Sequence, residues 1–182
     1  GAAGAEAIFI AGECGSAADM DGAVTTVTGK WGRLDILVNC AGGFHEMKHM
    51  GNTSLEEWRA GIEWNLTATF SVMRAALPAM QARKYGRIVN ISALAGRQGI
   101  DIASVDYSAA KAGVIGLTRR VAMEVARDGI TVNVVAPGTV LTPRTRVLHA
   151  ERMDAIAATI PVGRLGTPEE IADSVWYLAR PA

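Results

Sequence analysis

The 182 residues predict an α/β fold, a parallel sheet doubly wound with helices on both faces. Two observations predict it. Apolar runs of strand length alternate with longer stretches of helical spacing, and glycines and polar residues gather where the strands should end, which is where ligands bind in open parallel sheets. Those ends are Asn39-Cys40-Ala41-Gly42, Ser92, and Ala136-Pro137-Gly138 with Thr142 just beyond. No repeat, low-complexity tract or linker divides the chain, so one domain spanning 1–182 is expected.

Taken in order, residues 6–11 (EAIFIA) read as the first strand. Ser16, with Asp19 three residues on, caps a helix that ends near Trp31, where Gly32 supplies the stop. Residues 34–39 (LDILVN) are the second strand, with the continuous apolar character of one covered on both faces. Thr53 or Ser54 starts a long helix that Pro78 should kink and Gly86 should end. The third strand is 87–91 (RIVNI), followed by a loop of small residues to about Ala103. A helix over 105–127 carries Ala110, Val114, Leu117, Val121 and Val125 as its buried stripe, and Gly129 stops it. Residues 130–135 (ITVNVV) form the fourth strand; helices around 146–159 and over 168–179 complete the chain.

Composition narrows the function. Eighteen Lys and Arg balance eighteen Asp and Glu, which leaves no basic stripe for nucleic acid. No apolar run is long enough to span a membrane, and GAAGAEAIFIAG lacks a signal-peptide pattern, so a cytoplasmic location is expected. Cys14 and Cys40 are too few for a disulfide framework or a structural zinc site and read as free buried thiols.

Two motifs carry chemistry. His45, Glu46 and His49 stand in the spacing H-E-x-x-H, which on a helix would give two zinc ligands and a general base. Gly42-Gly43 and Gly51-Asn52 flank it, however, so a loop is expected, with no metal; zinc hydrolysis stays only as an alternative. Tyr107 and Lys111, four apart, share a helix face. A neighbouring ammonium favours phenolate and draws a tyrosine pKa from about 10 toward neutrality, making a general acid or base. On its own such a pair usually means only a solvated helix face.

The stretches GRLDILVNCAG (32–42), EWNLTATF (63–70), GRIVNIS (86–92), YSAAKAGVIGLTR (107–119), ITVNVVAPGTVLTP (130–143) and GRLGTPEEIA (163–172) give those residues a context. In this order they resemble the short-chain dehydrogenase/reductase family over essentially the whole chain, in the style of bacterial 3-oxoacyl-carrier-protein reductases. The resemblance implies a Rossmann-type doubly wound sheet and an NAD- or NADP-dependent oxidoreductase acting on a small carbonyl or secondary alcohol. Tyr107 would exchange the substrate proton, Lys111 would lower the Tyr107 pKa and hold the nicotinamide ribose, and Asn65 would anchor a water. Asn39, Ala41 and Gly42 would border the cofactor, with Cys40 where a second asparagine is usual. Pro137 and Gly138 would lie beside the cofactor and Thr142 would contact the carboxamide. Read without the family, Asn65 is a helix amide bonding backbone and Thr142 a cap.

The resemblance also implies a dimer or tetramer, with Ala109, Ala112, Gly113 and Gly116 permitting close helix packing. Residues 139–160 are expected to form a substrate lid in which Met153, Ile156 and Ile160 line an apolar pocket or an ordinary core face. Two departures stand out. The family spacing puts the active-site serine at Ala93 or Leu94, leaving Ser92 as the nearest candidate, and a one-residue shift reverses a strand side chain. No G-x-G-x-x-G phosphate turn occurs; the first βαβ unit and the last strand of the family pattern are missing, so a piece of a longer protein is expected, with Glu13 near adenine. A noncatalytic binding or assembly subunit with this fold is the second reading.

Overall fold

The computed structural model describes residues 4–181. Strands β1 (Ile36–Asn39), β2 (Gly86–Ile91) and β3 (Ile130–Val135) form a parallel sheet in the order β1-β2-β3. Parallel neighbours need long crossovers. Helices α2 (Leu55–Ile62) and α3 (Ala68–Arg83) supply the first and α4 (Val105–Val125) the second. Ahead of β1, α1 (Ala17–Trp31) packs on α3. After β3 come α5 (Pro143–Leu148), α6 (Met153–Thr159) and α7 (Pro168–Ala179), of which α7 packs on β2 and β3. The expected α/β class and parallel sheet are both observed.

Register builds the core. Leu37 pairs with Ile88 and Ile88 with Val132, and side chains at these positions join Met73 and Met80 of α3 and Val125 of α4. Burying each such side chain contributes about 1.5–3 kcal/mol. Val89, on the opposite face of β2, is also fully buried. Its β1 neighbours are not: Ile36 and Val38 are 43% and 41% exposed, so the strand predicted to be covered on both faces is covered on one among the described residues.

Other expectations need correction. Residues 6–11 form no strand; no described strand pairs with them, and Phe9 is 93% exposed, because apolar content cannot make a strand without a ladder partner. The long helix runs regularly through Pro78 and is broken instead by a π-helical turn, Glu63–Thr67. It ends at Lys84 in a left-handed conformation, and Gly86 begins β2, where a Cβ would stand 2.5 Å from Met80 Sδ. The helix expected over 146–159 divides into α5, a 3₁₀ turn (Ala150–Arg152) and α6. Both thiols are free, but Cys40 is exposed and Cys14 half-buried. The α4 stripe is as expected, with Ala110, Val114 and Val125 buried and Leu117 and Val121 against the core.

Candidate active site

Because all three strands run the same way, the loops that follow them meet at one edge. A cavity of about 1230 Å³ opens there, lined by Ser92, Tyr107, Pro137, Gly138 and Thr142 and, from the segment around α5 and α6, by His149. Ile156 and Ile160 line it too, whereas Met153 does not.

Tyr107 and Lys111 stand one turn apart near the start of α4, with Lys111 Nζ 5.6 Å from the Tyr107 ring centroid. Lys111 is 3% exposed, and its ammonium donates to the Ile91 carbonyl at 2.8 Å. Burial holds Lys111 down at about 8. Burial also pushes the Tyr107 phenol above its ordinary value, and the Arg144 guanidinium pulls it partly back. The lowering of Tyr107 by Lys111 that the sequence led us to expect is absent: the ammonium is turned to a carbonyl, and desolvation of the phenol wins.

The π-helical turn exists around Asn65. Its amide donates to the carbonyls of Gly61 and Gly43, each at 2.9 Å, and accepts from Gly43 N at 2.9 Å. Both amide hydrogens are thus spent on backbone. The side chain clamps the loop after β1 to the helix through backbone bonds. Gly42 fits between these groups only because it lacks a side chain: φ is +136°, and a Cβ would stand 2.6 Å from Asn65 Oδ1 and 3.3 Å from Lys111 Nζ. Ala41 is exposed in the same loop.

Three other expected site residues are turned to structural partners. Asn39 donates to Asn90 Oδ1 at 2.8 Å, and Asn90 donates to Thr118 Oγ1 at 2.9 Å, a buried chain across β1, β2 and α4. Ser92 Oγ donates to the Lys111 carbonyl at 2.7 Å, so its hydroxyl faces α4, as the one-residue shift implies. Thr142 caps α5, accepting from Thr145 N at 3.1 Å, although it also lines the cavity. Gly138 stays open, with nothing within 4 Å of where a Cβ would be. That open floor beside Pro137 and Tyr107 fits the flat nicotinamide end of NAD or NADP. Glu13 lies before α1, its backbone N–H held by Asp19 at 2.8 Å.

The H-E-x-x-H segment is a loop. His45 stacks on Trp64 at 4.8 Å, and Glu46 pairs with Lys48 at 3.6 Å. No three His, Cys, Asp or Glu side chains form a metal-sized group among the described residues.

A family model described as Enoyl-(Acyl carrier protein) reductase matches residues 1–182. The 3-oxoacyl-(acyl-carrier-protein) reductase FabG of Vibrio cholerae is 42% identical over 162 residues, 89% of this chain and 66% of that protein. The chain belongs to the short-chain dehydrogenase/reductase family. A second relative in that family, the acetoacetyl-CoA reductase of Cupriavidus necator, is 41% identical over 94% of this chain and 70% of its own length. The solved structure of ElxO with NADP bound superposes with a TM-score of 0.86 at 33% identity, covering 92% of this chain and 68% of that one. The chain therefore spans about two thirds of the length of these dehydrogenase/reductases.

Sequence reasoning missed Phe44, Ser104, Arg144 and His149. Phe44 packs on Tyr107 at 5.0 Å, and Arg144 donates to the Phe44 carbonyl. His149, kept neutral-leaning by burial and by Arg152, is 6.4 Å from Phe44. Only the position of Phe44, directly after Gly42-Gly43, offered a signal.

Proposed function

We propose that this chain forms the nicotinamide- and substrate-facing part of an NADP-dependent oxidoreductase that interconverts a ketone and a secondary alcohol. The observation that carries this reading is the placement of Tyr107 on the cavity wall beside the open Gly138 floor, with the buried Lys111 ammonium 5.6 Å behind its ring. A bound nicotinamide supplies or accepts the hydride. Tyr107 moves the proton at the substrate oxygen; its raised pKa keeps it a phenol at neutral pH, the form that donates during reduction. Lys111, charged below about 8 and fixed by Ile91, holds a cation behind the Tyr107 ring. Pro137 and Gly138 form the cofactor floor, with Asn39, Ala41 and Gly42 as its border and Thr142 at its edge; Asn65 keeps that border in place.

The 182 residues act here as one nucleotide-binding unit. A homodimer or homotetramer is consistent with α4, where Gly113 is used against Leu66 but Ala112 and Gly116 remain exposed. The free Cys14 and Cys40 suit a cytoplasmic setting. No described helix is long and apolar enough to cross a membrane.

A second reading, a noncatalytic binding subunit of the same fold, is favoured by Ser92, whose hydroxyl is committed to Lys111 O. Fluorescence titration with NADPH and NADH, followed by addition of a ketone, separates the two. Saturable binding of NADPH with turnover supports the reductase, binding without turnover the subunit. Failure of both nucleotides to bind contradicts each.

A further inference from the structure

Beside the Tyr107 cavity lies a smaller one of about 290 Å³, whose walls include Phe44, Ala60, Gly61, Trp64, Ser104 and Asp106. Phe44 lines both, and its ring packs on that of Tyr107 at 5.0 Å with an interplanar angle of 56°. The partition is held from several sides. Arg144 donates to the Phe44 carbonyl and lies 5.3 Å over the Trp64 ring, while His45 stacks on the same indole. Gly61 keeps the wall thin, since a methyl there would collide with Asp106.

One polar group on this wall is unspent. Ser104 is 1% exposed and occupies the N-cap of α4, yet its hydroxyl caps nothing and has no hydrogen-bond partner among the described residues. A buried hydroxyl left so costs about 1–3 kcal/mol unless a ligand atom satisfies it.

We propose that the smaller cavity receives the larger substituent of the ketone whose carbonyl is held at Tyr107, and that this substituent is a neutral aromatic group bearing one hydrogen-bonding atom for Ser104. The proposal rests on the reading of Tyr107 as proton donor. Size supports it, because an apolar cavity of about 150 Å³ already holds a benzene ring. Wall chemistry supports it too: Phe44 and Trp64 offer ring faces. Charge excludes an anionic substituent, since Glu46, Glu57 and Asp106 outnumber Lys48, which is itself paired with Glu57 and Glu46.

Ala60 lines this cavity from an exposed position on α2, so Ala60→Phe fills it without touching Tyr107. Acetophenone, its ring-hydroxylated form and butanone serve as probes. The expected result is a fall of about tenfold or more in kcat/KM for acetophenone and no change for butanone. Ser104→Ala should raise KM for hydroxyacetophenone about fivefold to tenfold, leave acetophenone unchanged, and leave the melting temperature level or higher because an unsatisfied hydroxyl is removed. Equal effects of Ala60→Phe on both ketones, or none, would overturn the proposal and assign the cavity to another ligand or to a second copy of the chain. Should the wild-type protein reduce no ketone, the Tyr107 reading fails. Tryptophan quenching by acetophenone then decides separately: saturable quenching lost in Ala60→Phe upholds the cavity, and its absence in the wild type overturns it.

Discussion

Ser92 and Lys111 are joined by one hydrogen bond. The Ser92 hydroxyl serves the Lys111 carbonyl, so Ser92→Ala is expected to cost about 1 kcal/mol of stability and less than about threefold in kcat. Thermal unfolding and steady-state rates check this; a loss of a hundredfold in kcat would show that the hydroxyl serves the substrate oxygen. Lys111 contributes a pH dependence whose sign follows from its burial. Its folded value is held down at about 8, so the ammonium is present below that and lost above. The phenol of Tyr107, pushed upward, remains protonated across the same interval. Carbonyl reduction measured as kcat/KM should therefore be level below about pH 8 and decline above it, while a rate that climbs through this range would contradict the assignment.

At the scale of elements, the π-helical turn between α2 and α3 organises the site. It directs Asn65 to Gly43 and Gly61, and it carries Trp64 to the wall of the smaller cavity. Asn65→Ala removes three hydrogen bonds, one buried and two part-buried, and should lower stability by about 2–3 kcal/mol, with looser cofactor binding as the loop after β1 is released. Denaturant unfolding and NADPH titration measure the two effects, and an unchanged protein would refute the clamp. The strands β2 and β3, the α4 stripe and the Tyr107-Lys111 pair were legible in the sequence because apolar periodicity and i,i+4 spacing are local properties. The turn at Glu63–Thr67 was not; the partner of its Asn65, Gly43, lies in a distant loop. Pro78 drew the expected kink instead, yet α3 continues through it. The direction of the Ser92 and Asn39 hydroxyl and amide likewise depends on partners in α4 and β2, which no local pattern encodes. Residues 6–11 have the composition of a strand and find no strand to pair with among the described residues.

For the whole molecule, the sheet fixes where the proposed site lies and the helices line it. Three parallel strands bring their carboxyl ends together, and the segment containing α5 and α6 closes over them with His149, Ile156 and Ile160. The proposed oligomer places the exposed small residues of α4, Ala112 and Gly116, against a second copy. Gly116→Arg should shift the protein toward monomer in sedimentation velocity without altering its fold, since nothing lies within 4 Å of that position. An unchanged oligomer would move the interface elsewhere. The central claim is that this edge of the sheet is a reductase site in which Tyr107 moves the proton. It is tested most directly by comparing NADPH binding and ketone reduction in the wild-type protein and in Tyr107→Phe. Equal NADPH affinity with a fall in kcat of about 10²–10⁴ is the expected result; turnover that survives the loss of the phenol would contradict it.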